Sequence, residues 1–225
     1  MATKMITTDD GTTMTIPEML KSIERYNPKH FPFLEKYVQE QAKENTYDLD
    51  ANLAVLKFYQ FNPHMMNLPI TQLILLKAIT NLPFSDFVLC KYLLLPVQMR
   101  DDTVKEIIYI ADILEQCDFV LFWQHVQNKD KNELFEKITG FYDSIRKFVC
   151  HVVGTTFQTI DKVYLSRLLG NIDDKQLTQW VKKNNWTLSG DLVTIIKQEE
   201  TIKTKHISEK IDFESLGGLM ANCIN

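Results

Sequence analysis

Four cysteines and five histidines are the side chains in this sequence best suited to metal ligation or nucleophilic chemistry: Cys90, Cys117, Cys150 and Cys223, with His30, His64, His125, His151 and His206. A zinc site needs about four such ligands, usually arriving as close-spaced pairs. No CxxC, HxxxH or HExxH occurs, so no metal is expected. Cys150 and His151 are adjacent, and neighbours on a helix diverge by about 100 degrees, which sets the imidazole away from the thiol. Lying tens of residues apart with no secretory signal ahead of them, the cysteines read as reduced core thiols of a cytoplasmic protein, with the nucleus as a second compartment. GxxxxGK[ST], GxGxxG and GxSxG are all missing, and Gly217-Gly218 is the only glycine pair, so neither a phosphate cradle nor a serine elbow is available. Asp9-Asp10, Asp101-Asp102 and Asp173-Asp174 fall at the flexible start or at helix beginnings, where the helix dipole explains them. The expectation is a protein with no catalytic residues and no cofactor.

Cationic chemistry is the remaining option. Lys175, Gln176, Gln179, Lys182 and Lys183 share one predicted helix, and Lys175, Lys182 and Lys183 are the candidates to touch nucleic-acid phosphates or base edges. Residues 161–196, however, hold five basic and four acidic groups, with Asp173 and Asp174 at the end that would meet DNA. Phosphate neutralisation dominates such affinity, so contact with RNA or DNA is modest at most, and a solvated helix face accounts for the same residues. Over the whole chain the net charge is -4, which supplies no pull toward phosphate backbones or anionic lipid.

Positioning these residues requires a scaffold, and composition indicates its kind. The chain has 225 residues, enough for one core or for two small ones that share an interface. Hydrophobic residues make up 45% and charged residues 24%, an ordinary globular balance. With only seven Gly and seven Pro, tight turns are scarce, which favours helices over sandwiches and barrels. Residues 1–16 are Thr-rich, lack the apolar run of a secretory signal and read as a flexible leader. Residues 58–76 carry no charge, but Pro63, Pro69 and several amides within them would be unsatisfied in hydrocarbon, so no membrane segment is expected.

Apolar periodicity marks successive helices. Pro17 suits a first turn, with Leu20, Ile23 and Tyr26 following at helical spacing until Asn27-Pro28. Pro32 opens a second helix bearing Leu34, Tyr37, Val38 and Gln41. Leu49, Leu53, Leu56 and Tyr59 define a third; Pro69, Leu73, Leu76 and Ile79 a fourth; and Ser85 caps a fifth. Thr103 and Glu106 match a capping box ahead of the stripe Val104, Ile107, Ile108, Ala111 and Leu114. Asp118 starts a helix with Phe119, Phe122, Trp123 and Val126 on its apolar side. A Leu-Lys-x-Ile/Tyr pattern at 20–23, 56–59 and 76–79, each time followed by Pro, fits an internal repeat of helical hairpins or simply similar stops. Residues 128–132 read as a solvated loop and domain seam, and 140–153 as a long helix with Phe141, Ile145, Phe148, Val149 and Val152 inward.

The pattern changes at Thr159. A helix over 161–169 ends at Gly170, and Asp173 with Gln176 caps a second helix bearing Leu177, Trp180 and Val181. Two β-prone runs, 186–188 and 192–196, flank Ser189-Gly190-Asp191 as a hairpin. Helix, turn, helix, hairpin is the plan of a winged helix. Beyond 197 the chain is charged and closes on an amphipathic helix carrying Ile207, Ile211, Phe213, Leu216 and Met220. The fold class is thus mostly α: leader 1–16, helical-repeat (HEAT/TPR-like) domain 17–127, linker and helix start 128–139, winged-helix domain 140–197 with a small β hairpin, and tail 198–225.

Four long words carry a family resemblance: QAKENTYDLDANLAVLKFYQFNP at 41–63, ILLKAITNLPFSDFVLCK at 74–91, ITGFYDSIRKFVCHVVGTTFQTIDK at 138–162 and IKTKHISEKIDFESLGGLMA at 202–221. Together they resemble the PCI-type family that unites a subunit of eukaryotic translation initiation factor 3 with a proteasome-lid and a COP9-signalosome subunit. The resemblance implies a helical-repeat region followed by a winged helix, and a scaffold role without catalysis. It also implies, as partners, the other subunits of initiation factor 3, subunit L above all, and through them the small ribosomal subunit and preinitiation complexes. Docking would use an unpaired strand edge at Leu192, Val193 and Ile195 and the tail residues Ile207, Ile211, Phe213, Leu216 and Met220. Closure of the hairpin on its own domain, and of the tail on its own helices, are the alternatives.

Overall fold

Residues 5–7, 13–127 and 132–195 are described by the structure, a computed structural model. Part of the stretch expected to be a leader is paired backbone: β1 (Met5–Thr7) runs antiparallel to β2 (Thr13–Thr15), with Ile6 opposite Met14. Thr15 and Glu18 cap α1 (Ile16–Lys21) reciprocally, and Pro17 lies in its first turn. The expected continuous helix to Asn27 is corrected. Ser22 is extended (φ -94, ψ 174) and its hydroxyl accepts the Glu24 N–H, which starts a separate 3₁₀ turn, Ile23–Tyr26. Ile23 therefore leaves the apolar stripe and is 82% exposed.

Nine helices follow: α2 (Phe31–Glu44), α3 (Leu49–Phe61), α4 (Leu68–Ile79), α5 (Asp86–Tyr92), α6 (Pro96–Met99), α7 (Asp102–Glu115), α8 (Phe119–Val126), α9 (Asn132–Glu136) and α10 (Phe141–Thr156). α4 is the axis of the packing. Ile70, Ile74, Leu75, Leu76, Ala78 and Ile79 are buried on every side of it, as expected of a helix enclosed by others, and α2, α3, α5 and α7 pack around it. The outer helices are amphipathic: the predicted stripe of α7 buries Val104, Ile107, Ala111 and Leu114, and that of α8 buries Phe119, Phe122, Trp123 and Val126.

Two caps differ from expectation. The α7 cap is Asp101, whose carboxylate accepts the Val104 N–H at 2.9 Å, while Thr103 falls inside the first turn. Ser85 stands at the start of α5 without a side-chain bond. The loop expected at 128–132 lies outside the described residues except for Asn132, the first residue of α9. Just beyond it, Phe135 and Ile138 are buried in the same core cluster as α2 to α8, and the Thr139 N–H donates to the Ala42 carbonyl at 3.0 Å.

After α10 come β3 (Thr159–Asp161), α11 (Lys162–Leu168), α12 (Asp174–Lys183), β4 (Thr187–Ser189) and β5 (Leu192–Thr194). The described chain is thus mostly helical, with one three-stranded antiparallel sheet near its C-terminal end, ordered β3-β5-β4. No helix among the described residues is long and apolar enough to cross a membrane.

Lys77 is the one charged residue of α4, and it is 2% exposed, its ammonium donating to Asn45 Oδ1 at 3.3 Å. Burial pulls its pKa from 10.5 down to about 8. Between those values the unfolded chain binds more protons than the folded one, so this group's contribution to stability rises with pH across the window. The buried thiols of Cys90 and Cys150 and the hydroxyls of Tyr47 and Tyr59 are shifted upward and act in the opposite sense, so the effect is isolated by a difference between variants. Lys77→Met is expected to exceed the native chain by about 1–2 kcal/mol near pH 7, because it removes a buried charge. That advantage should shrink as the pH climbs from about 8 toward 10.5. Urea unfolding of both chains at matched pH measures it, and a constant difference would contradict it.

Candidate functional site

The elements from β3 to β5 hold most of the described candidate residues. Asp161 ends β3 and caps α11, accepting the N–H groups of Val163 and Tyr164 at 2.9 and 3.0 Å. Asp173 caps α12 through the Gln176 N–H at 2.9 Å. Between them the chain reverses through Gly170 (φ 94) and Asn171 (φ 55). The sheet lays Ile160 and Val193 on its inner face, opposite one another in register, and both are buried.

Leu192, Val193 and Ile195 are where the strand-edge expectation is corrected. β5 is the central strand, paired with β3 on one side and β4 on the other, and the Ile195 N–H continues the β3 ladder to the Gln158 carbonyl at 2.9 Å. Val193 and Ile195 are core residues, whereas Leu192 is 51% exposed on the outer face. Among the described residues the unpaired margin next to the hairpin is β4. Only Gly190 in the Gly190-Asp191 turn has positive φ, as in a type II′ hairpin. The closing pair Ser189–Leu192 then exchanges both ladder bonds, and Leu188, opposite Val193, directs its N–H and C=O away from β5. Ile207, Ile211, Phe213, Leu216 and Met220 lie outside the described residues.

Lys175 and Lys182 are exposed on α12. The Lys183 ammonium sits 4.7 Å from the centre of the Trp180 ring, and at the other end Lys162 pairs with Asp174 at 2.9 Å. The cations of this face are therefore spread along the helix, and its N-terminal end stays acidic. Burial pushes the Cys90 and Cys150 thiols up to about 12, which makes them poor nucleophiles. The core-thiol expectation is corrected at Cys117, which is exposed, and Cys223 lies outside the described residues. Cys150 is buried while His151 is exposed, so the two diverge as their adjacency predicts. His30 approaches Glu24, and His125 approaches Glu106. Among the described residues no three His, Cys, Asp or Glu side chains come together as a metal site.

Sequence reasoning missed what fastens this region to the helices before it. Trp123 of α8 donates its indole N–H to the Leu168 carbonyl at 2.8 Å. Arg146 of α10 lies over the Trp123 ring at 5.2 Å and donates Nε–H to the Leu169 carbonyl at 3.1 Å. Gly170 completes the contact, since a Cβ there would stand 2.8 Å from Trp123 Cδ2. Periodicity placed Trp123 in an apolar stripe and Gly170 at a helix end, but no local signal joins the two.

The family model that matches this chain is that of the CSN8/PSMD8/EIF3K family, over residues 65–206. The chain belongs to that family. Among curated relatives, a protein of Culex quinquefasciatus named eukaryotic translation initiation factor 3 subunit K is 65% identical over 216 residues, covering 96% of this chain and 97% of the relative. Proteins of the same name from Aedes aegypti and Drosophila virilis are 65% identical over 216 residues and 59% identical over 221, covering 96% and 98% of this chain and 97% and 99% of their own lengths. The family match takes in α4 through β5, and with them both partners of the Trp123–Gly170 contact.

That contact yields a paired expectation. Gly170→Ala meets both a left-handed backbone and the indole, and should cost about 2–4 kcal/mol. Gly190 shares the positive φ, but a Cβ there would meet nothing within 4 Å, so Gly190→Ala should cost only about 1 kcal/mol. Urea midpoints of the two variants measure the gap, and equal costs would show that the ring does not confine the turn.

Proposed function

We propose that this chain is a noncatalytic subunit of eukaryotic translation initiation factor 3, a cytoplasmic scaffold that supports small-ribosomal-subunit binding and preinitiation-complex assembly through protein–protein contacts. The observation that carries this reading is its end-to-end similarity to relatives named as subunit K of that factor. In this reading 17–127 acts as a helical-repeat domain, 128–139 as a linker and helix start, 140–197 as a winged helix whose wing is the β4–β5 hairpin, and 198–225 as a docking tail. The order of strand, helix, turn, helix and hairpin supports the winged helix. The burial that keeps the Cys90 and Cys150 thiols protonated supports a role without bond chemistry.

Its partners are the other subunits of the factor, subunit L above all. Tagged chain purified from cells at near-physiological salt should bring those subunits with it, before and after nuclease treatment. Recovery of the chain alone overturns the proposal. Release of the subunits by nuclease would instead favour the second reading, a nucleic-acid-binding winged helix, for which the exposed Lys175 and Lys182 speak.

Within the assembly, the margin of β4, unpaired among the described residues, is the wing's docking edge. Leu188→Pro removes the outward N–H and leaves the bonds to β5 in place. The variant should keep its thermal midpoint as an isolated chain and lose at least about tenfold in recovery of subunit L, roughly the loss of one edge hydrogen bond with its packing. Undiminished recovery would exclude this edge.

A further inference from the structure

A groove of about 480 Å³ lies between α1, with its 3₁₀ turn, and α3. Its floor is apolar, formed by Leu20, Leu53 and Leu93, all half-buried against the core. Its rim carries Lys21, Arg25 and Lys57. Lys21 and Lys57 are exposed and make no ion pair among the described residues, although the Lys21 charge acts on the Glu18 carboxylate one turn earlier in α1. Arg25 lies over the Tyr26 ring at 4.7 Å and donates to the Leu20 carbonyl at 3.4 Å. Two carboxylates also line the groove, but Asp48 is already engaged, one oxygen accepting the Ala51 N–H and the other the Tyr37 hydroxyl. The lining thus carries three cations and two carboxylates, and of the carboxylates Asp50 is the one whose oxygens are not held by these bonds.

Exposed apolar residues neighbour the lining residues in sequence. The three most exposed large apolar residues among those described are Ile23 at 82%, Tyr92 at 81% and Phe61 at 66%. Ile23 stands between the rim residues Lys21 and Arg25, Tyr92 precedes the floor residue Leu93, and Phe61 is one helical turn beyond Lys57 with its ring edge-on to Tyr26 at 6.0 Å. Isolated exposed apolar residues are ordinary, whereas an apolar surface rimmed by polar residues marks an interaction surface. A polyphosphate ligand would gain nothing from the leucine floor and would meet Asp48 and Asp50. A polypeptide with an apolar anchor and flanking carboxylates satisfies both the floor and the rim.

We infer that this groove docks a short acidic amphipathic segment of another polypeptide, its aliphatic or aromatic anchor seated on Leu20 and Leu53 and its carboxylates on Lys21, Arg25 and Lys57. The inference rests on the groove alone and holds whether or not the chain assembles into the initiation factor.

Fluorescence anisotropy on the purified full chain tests it with three labelled synthetic peptides. One carries Leu and Phe at helical spacing among Glu, the second has Lys in place of Glu, and the third has Ser in place of Leu and Phe. The first should bind with micromolar affinity that weakens with salt, and the other two should bind at least about tenfold more weakly. Lys21→Glu combined with Lys57→Glu should weaken the first peptide by at least about tenfold, as should Ala54→Arg, which fills the groove. All these positions are at least partly exposed, so circular dichroism and the urea midpoint should match the native chain. Failure of the acidic peptide to bind, equal binding by the variants, or equal binding of either control peptide overturns the inference. So does displacement of the peptide by single-stranded RNA that the same variants no longer bind, which would reassign the groove to nucleic acid.

Discussion

The end of one short helix constrains the rest of the structure. α11 spans only Lys162–Leu168, and the last carbonyls of any helix have no partner within it. Here Leu168 and Leu169 are buried, so their carbonyls cannot turn to water without opening the core. Trp123 and Arg146, from two different helices, supply the missing donors. A cation at a helix C-terminus also matches the dipole, and Arg146 stacks on the same indole that it works beside. Phe122 and Tyr142 pack around that ring at 5.0 and 6.1 Å. The turn after the helix can approach only because residue 170 has no Cβ. One contact therefore satisfies two buried carbonyls, fixes the direction of the turn and sets α12 and the sheet against the helical core.

The core before it uses the same device in milder form. Buried amides and carboxylates cost free energy unless bonded, and here, apart from Asn52 Nδ2, the following ones are bonded to the turns. Gln41 accepts the Asp48 N–H at 2.9 Å and donates to Asn52 at 3.2 Å, holding the link from α2 to α3. Asp86 accepts from the Tyr47 hydroxyl at 2.9 Å and from Asn81 at 2.6 Å, joining that link to the one between α4 and α5. Gln98 accepts the Leu95 N–H at 2.7 Å and donates to Thr71 at 2.8 Å, tying the α6 turn to α4. Short loops with few glycines are thus fixed by side chains pointing inward. That is how a chain poor in turn residues can hold its helices in one arrangement.

Where a feature is set by neighbours in sequence, the amino acids announce it. The stripes of α3, α7 and α8, the Asp161-to-Lys183 helix pair and the turn at Gly190 follow from period and capping, and all are present. Ser22 shows the limit of period alone: the apolar spacing runs on through Ile23, but a hydroxyl bonded to the next backbone N–H ends the helix. β3 shows the limit of local pattern. Three residues ahead of α11 pair with a strand that follows α12, and this non-local bond turns Leu192–Thr194 from an apparent edge into the middle of the sheet. Lys175 and Lys182 could be read as exposed from their helix. The rim of Lys21, Arg25 and Lys57 could not, because it forms only when the turn after α1 meets α3.

The size of the β4 edge decides how such a molecule can hold a neighbour. The strand has three residues, and only Leu188 directs backbone groups outward. Two edge hydrogen bonds contribute about 1–3 kcal/mol net. Covering what remains exposed of Leu188 and Leu192 contributes about 2–3 kcal/mol more. The sum, about 3–6 kcal/mol, overlaps only the bottom of the association cost, about 4–15 kcal/mol. An edge this short can set the register of a partner strand but cannot retain it alone. Stable assembly through this wing therefore requires a second contact made by the same chain, which turns the edge into an intramolecular event at an effective concentration of about millimolar. In the docking proposed above, surfaces far from the sheet would carry the affinity and the sheet would supply the alignment.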